Sequence, residues 1–264
     1  MKPAIRSIFI ALMLSFPLWA SDSTGTVEVG GKAFQFRNGT VLHYSGSYEG
    51  IIQRGTLARD TAANMHGTRF VFAKDTEIEF YLSGRIAIGH LSKDTPCSVG
   101  GGNFVFRKGS RIDFFESGKV SKAYLARDHD LAVGGRRFRF RRGDEEIHDI
   151  AFYKSGKIMK AFLSGNSTVR IGANALTMFE RIGFYERGAI EWGHLKSDCA
   201  VRAGKQTIRC AGGEYDQISF YANGGVGECA LTGPQTVNAG GFALKLESRI
   251  IFSEDGKIVR GTVG

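Results

Sequence analysis

Residues 111–140 read RIDFFESGKVSKAYLARDHDLAVGGRRFRF, and this stretch decides the fold. Ile112 and Phe114 alternate with polar neighbours, the period of a strand that buries one face. Phe115 follows, and then a turn carrying Gly118, which supplies the positive φ of a tight hairpin. A second strand runs from Val120 to Leu125. Leu131, Ala132 and Val133 lead into Gly134-Gly135, a strong hairpin signal between apolar strands, and Phe138 and Phe140 continue beyond it. The stretch is two successive hairpins, and no part of it has a helical period.

The same unit recurs along the chain. Its I-x-F-[FY] opening returns at Ile78/Phe80/Tyr81, Ile150/Phe152/Tyr153, Ile182/Phe184/Tyr185 and Ile218/Phe220/Tyr221, and as Ile250/Phe252/Ser253. A small residue two places before an aliphatic one marks seven copies: Gly55, Gly89, Ala123, Ala161, Gly193, Cys229 and Gly261. The spacing of roughly 34 residues belongs to repeat architectures, in which each unit leans on its neighbours. The small column predicts a place where a backbone or an aromatic ring comes too close for a large side chain.

These features predict an all-β tandem repeat with about four short strands per unit. Short connections favour an antiparallel β-meander that forms an elongated sheet or solenoid. A seven-bladed β-propeller is the alternative, because the chain opens on a second hairpin and closes on a first one, although about 34 residues is short for a blade. A membrane barrel needs longer strands.

Residues 1–20 read as a signal peptide: Lys2 and Arg6, a short apolar run over residues 7–19, and cleavage near Ala20. That run is too short for a membrane span, and Pro17 interrupts it. Residues 21–264 then form a single β-repeat domain of seven units, secreted or periplasmic. The formal charge of +9 becomes +7 without Lys2 and Arg6. Residues 101–160 carry 14 Lys/Arg against 8 Asp/Glu, so most of the excess is central. An anionic envelope polymer or a protein partner is the expected ligand class, with no specific nucleic acid and no transmembrane anchor after cleavage.

The aromatic–x–x–Gly–Lys turn, seen as FFESGK (114–119), FYKSGK (152–157) and FSEDGK (252–257) with Ser in one aromatic position, resembles the MORN-like (YwqK-type) repeats of bacterial exported proteins. The unit here is longer than theirs and lacks their Tyr-x-Gly-x-Trp core. The resemblance implies a structural or interaction role, and it carries over no catalytic residue.

Arg137, Arg139 and Arg141 alternate with Phe138 and Phe140, so inward rings predict an outward guanidinium ladder suited to phosphate, sulfate or carboxylate. Beside it lies the four-residue gain of the fourth unit, residues 143–149 (GDEEIHD), where an irregular loop interrupts a regular scaffold. Under an enzymatic alternative, a saccharide hydrolase or lyase, the repeat-breaking residues to suspect are His148, Asp149 and Asp216. No cofactor or metal site is expected: His90 and His194 share a column that reads as surface, three repeats apart. Asp60, Asp94, Asp128 and Asp198 recur in one turn and are expected to accept backbone amides locally. Counting outward from Gly204-Lys205 sets Cys199 opposite Cys210, the expected disulfide in an oxidising compartment. Cys229 fills the small column, where it reads as a buried thiol, and no C-x-x-C spacing supports zinc or redox chemistry.

Overall fold

A computed structural model describes residues 25–37, 43–44, 52–144 and 147–263. The expected leader, residues 1–20, lies outside them. The architecture is all-β, with the described residues forming a chain of antiparallel hairpins.

The two hairpins of a unit have different fates. First hairpins, such as Glu77–Phe80 with Ile86–His90 and Arg111–Phe114 with Val120–Tyr124, join edge to edge in one continuous sheet of sixteen strands among the described residues. Within each of them a bulge displaces the register beside the recurrent ring, as between Asp113 and Phe114. Five of the seven described second hairpins stand off that sheet, while Ser167–Ile171 and Gln235–Ala239 pair with the long strands Asn174–Phe184 and Phe242–Phe252, which run on into it. Thr61–Met65 with Thr68–Phe72, Thr95–Val99 with Gly102–Phe106 and His129–Val133 with Arg136–Phe140 are separate two-stranded sheets. The repeats are therefore an open array in two layers. A propeller would break the ladder into separate four-stranded blades, whereas here it runs unbroken from unit to unit. The expectation that all four strands pair in sequence is corrected for five units, whose second hairpins form separate two-stranded sheets; it holds where Asn174–Phe184 and Phe242–Phe252 join a second hairpin to the sheet.

Packing between the layers explains this split. The last ring of four second hairpins ends beside the next unit's sheet at a single bridge: Phe36↔Leu57, Phe72↔Leu91, Phe106↔Leu125 and Phe140↔Leu163. The side chain at that position covers the small column: the Phe72 ring lies against Gly89, and in the last unit the aliphatic Leu246 takes its place against Gly261. The inner ring reaches one unit further, where Phe70 meets Phe114 edge-on at 5.0 Å and Phe138 meets Phe184 at 5.3 Å. These rings are almost wholly buried. Each contributes about 1.5–3 kcal/mol on leaving water, and pairing every second hairpin into the sheet would expose them. The tips close the same contact: a Cβ on Gly134, at φ +56°, would lie 2.1 Å from the Gly188 carbonyl oxygen. Tip glycines thus supply both the turn and the close approach.

Tyrosines tie successive units along the sheet. Tyr81 donates to the Phe114 carbonyl at 2.7 Å, Tyr153 to Phe184 at 2.7 Å, Tyr185 to Phe220 at 2.9 Å and Tyr221 to Phe252 at 2.7 Å.

Candidate anion-binding face

Arg136–Phe140 pairs with His129–Val133 in the register Ala132↔Arg137 and Asp130↔Arg139. Phe138 and Phe140 are buried against the sheet, while Arg137, Arg139 and Arg141 are exposed, as alternation requires. Successive guanidinium stems on one face are about 6.5–7 Å apart, two residues of strand rise. Arg139 Nε lies 3.4 Å from Asp128 Oδ2. Asp128 itself is anchored: the Ser164 hydroxyl and the Arg142 amide donate to it, and the hydroxyl above all holds its carboxyl below the usual range.

The row continues onto neighbouring hairpins, a continuation that the reading of one strand missed. Arg136 Nη2 donates to the Arg170 carbonyl at 2.9 Å and so fixes the next hairpin strand, Ser167–Ile171, alongside. Arg170 is exposed there, opposite Ala175. Asn174 then clasps the following hairpin: its Nδ2 donates to the Arg202 carbonyl at 3.0 Å, and its Oδ1 accepts from the Arg202 amide at 2.7 Å. Arg202 and Arg209 are exposed on that hairpin, opposite Thr207 and Ala200. Arg137, Arg170, Arg202 and Arg209 make no ion pair among the described residues. The signal was present in the sequence, since Arg170, Arg202 and Arg209 each stand beside a buried aliphatic residue of their strand. It became a surface only once three hairpins were set side by side.

At the rim, Arg141 Nη1 approaches His148 Nε2 at 3.5 Å. The four-residue gain is a packed loop at its described positions. The Gly143 amide donates to Leu125 O at 2.8 Å, and Arg107 donates to Gly143 O at 2.7 Å. The Asp144 carboxylate bonds the His148 ring, which lowers its pKa, and that ring stands edge-on to Phe162 at 4.7 Å. Glu145 and Glu146 lie outside the described residues. Asp149 is buried with its carboxylate 3.3 Å from Lys160 Nζ and 3.9 Å from Lys122 Nζ. His148 and Asp149 thus serve different partners. Asp216 adjoins a strand four ladder steps from that of Asp149, roughly 19 Å away at 4.7–4.9 Å per step. The three residues suspected under an enzymatic reading do not converge.

Three expectations are corrected. The disulfide joins Cys210 to Cys229, with Cα atoms 5.9 Å apart, and Cys199 is a free thiol. The register Cys199↔Cys210 is as expected. However, four residues out from a two-residue turn the facing pair is of the hydrogen-bonded kind, whose side chains are held farther apart than those of the alternate pair. Cys210 occupies the ring column of its unit and Cys229 the small column, so the bond replaces the ring-on-glycine contact made elsewhere. Cys229 is accordingly half of a disulfide rather than a buried thiol. The readable signal was that one unit carries Cys in both columns. The His90/His194 column is surface only in part: Thr262 is exposed, Thr56, His90 and Ala230 are half-buried, and Tyr124, Phe162 and His194 are each buried. Finally, the recurrent aspartates accept backbone amides fourteen residues on, not locally: Lys74 to Asp60, Lys108 to Asp94, Arg142 to Asp128 and Gly212 to Asp198, at 2.7–2.9 Å. They clasp the base of each second hairpin.

Among the described residues no three His, Cys, Asp or Glu side chains are grouped to hold a metal ion. No protein-family profile matches this chain, and no curated protein matches it either.

Proposed function

We propose that this chain is a non-catalytic, exported repeat scaffold that binds an anionic polymer along its hairpin layer. One observation carries the reading: Arg137, Arg170, Arg202 and Arg209 stand exposed on three adjacent hairpins, without ion pairs among the described residues and continuous with Arg139 and Arg141. Small neutral neighbours leave these forks open to phosphate, sulfate or carboxylate groups spaced along a chain. Export follows from the reading of residues 1–20 and agrees with a disulfide, which persists in oxidising compartments. An envelope polymer is then the natural ligand class. No observation favours a saccharide hydrolase or lyase, because His148, Asp149 and Asp216 stand apart.

The test is binding of the mature chain to immobilised heparin and to lipopolysaccharide across a salt series. The triple variant Arg137→Ser, Arg139→Ser, Arg141→Ser should bind more weakly and with a shallower dependence on salt. Adding Arg170→Ser and Arg202→Ser should weaken binding further. Equal affinity and an equal salt slope in wild type and the five-fold variant would overturn the proposal.

A further inference from the structure

Three of the four cysteines meet at one place. Cys210 is bonded to Cys229 in the sheet beneath it, and the free Cys199 faces Cys210 across its own hairpin. Cys199 lies on the same strand face as the buried Val201 and Ala203, half-buried and packed against the core. Facing residues of an antiparallel hydrogen-bonded pair have Cα atoms about 5.5 Å apart, close to the 5.9 Å between Cys210 and Cys229. Cys210 therefore has a cysteine neighbour at bridging distance on two sides. Only one of them is bonded.

We infer that Cys199, Cys210 and Cys229 form a thiol–disulfide exchange site, in which Cys199 displaces Cys229 from Cys210. The Cys199 thiol gives up its proton to solvent, and its thiolate attacks Cys210 Sγ. The Cys199–Cys210 bond forms as the Cys210–Cys229 bond breaks, and Cys229 leaves as a thiolate that takes up a proton. One disulfide and one thiol are present before and after, so no oxidant or reductant is consumed. The two states differ mechanically. The Cys210–Cys229 bond rivets the hairpin layer to the sheet, whereas a Cys199–Cys210 bond lies wholly within the hairpin Cys199–Ala203/Gln206–Cys210 and releases it. The resting state is the riveted one, since the facing pair is of the less suited kind and burial, then the Asp198 charge, keeps Cys199 protonated. Exchange therefore quickens with pH, by about tenfold per unit below the thiol pKa. Cys97, also free but in another unit, takes no part and serves as an internal control.

The experiment is disulfide mapping of the full chain under non-reducing conditions. Protein is held at pH 7, 8 and 9, quenched with acid, alkylated and digested. The expected result is a Cys199–Cys210 linked peptide, with alkylated Cys229, that appears about tenfold faster at pH 8 than at pH 7. It should be absent from Cys199→Ser, and Cys97 should stay alkylated throughout. The variant Cys229→Ala, which places in the small column the residue already found at Ala123 and Ala161, tests reach alone. Oxidised with glutathione disulfide, it should form the Cys199–Cys210 bond. Only glutathione adducts on Cys199 and Cys210 in that variant, or no Cys199–Cys210 peptide from the wild type at pH 9, would overturn the inference.

Discussion

Gly89 lies directly beneath the ring of Phe72: a Cβ built on the glycine would stand 2.4 Å from Phe72 Cδ1. Phe72 belongs to the second hairpin of one unit and Gly89 to the sheet of the next, so this pair joins the layers. Because Phe72 is fully buried, its ring has nowhere to retreat. Gly89→Val should therefore destabilise the protein by about 1–3 kcal/mol, the usual cost of overpacking. Thermal unfolding would show it as a fall of several degrees, with Gly89→Ala intermediate. A Gly89→Val variant as stable as wild type would remove the small column from the account of layer packing.

The tyrosine ladder makes a subtler claim. Tyr185→Phe keeps the ring and deletes the hydroxyl that donates to Phe220 O at 2.9 Å. The expected loss is about 0.5–1.5 kcal/mol in urea unfolding, the net worth of one hydrogen bond. Phe115 already stands at this position in its own unit, so the fold should survive intact.

Each aspartate clasp should be separable from the rest. Asp94→Ala removes the acceptor of the Lys108 amide, made at 2.7 Å. A loss of about 1 kcal/mol in denaturant unfolding is expected, comparable to losing a side-chain cap on a backbone amide. Hydrogen exchange should quicken at Lys108 and leave Arg142, clasped by Asp128, unchanged.

His194 gives the protein a pH dependence of known sign. Burial chiefly lowers its pKa; the nearby Glu180, Glu214 and Asp216 charges raise it in part, and Arg181 lowers it. Above about pH 6.5, the ordinary histidine value, neither folded nor unfolded chain is protonated there, and the contribution to stability is complete. Below it the unfolded chain binds a proton that the folded one refuses, so stability falls as pH drops towards the depressed folded value. His129 shifts the same way, again chiefly by burial. Denaturant midpoints from pH 7.5 to pH 5 should fall in wild type and fall less in His194→Phe, a residue the column already accommodates at Phe162. An equal slope in both proteins would dismiss His194 as the cause.

Much of the fold was legible because its signals are local. Alternation at Ile112 and Phe114, and the hairpin turn at Gly134-Gly135, depend on a few neighbouring residues, and both were read correctly. The inward Phe138 and Phe140 and the outward Arg137 and Arg139 followed from the same two-residue period. The extension of the basic face to Arg170, Arg202 and Arg209 was harder to read. It depends on Arg136 reaching the Arg170 carbonyl and Asn174 clasping Arg202, contacts 28 to 34 residues apart.

By itself, the sequence determined the strand content, the unit length, the turns and the inward face of alternating strands such as Phe138 and Phe140, all set by backbone sterics and apolar alternation within a dozen residues. Only the tertiary structure decided that most second hairpins leave the sheet, that Cys210 bonds Cys229 rather than the facing Cys199, and that His194 is buried. Each of those outcomes rests on a contact between layers, where the size of a residue such as Gly89 is judged against a ring seventeen positions away. No local pattern reports which residues will meet across that interface.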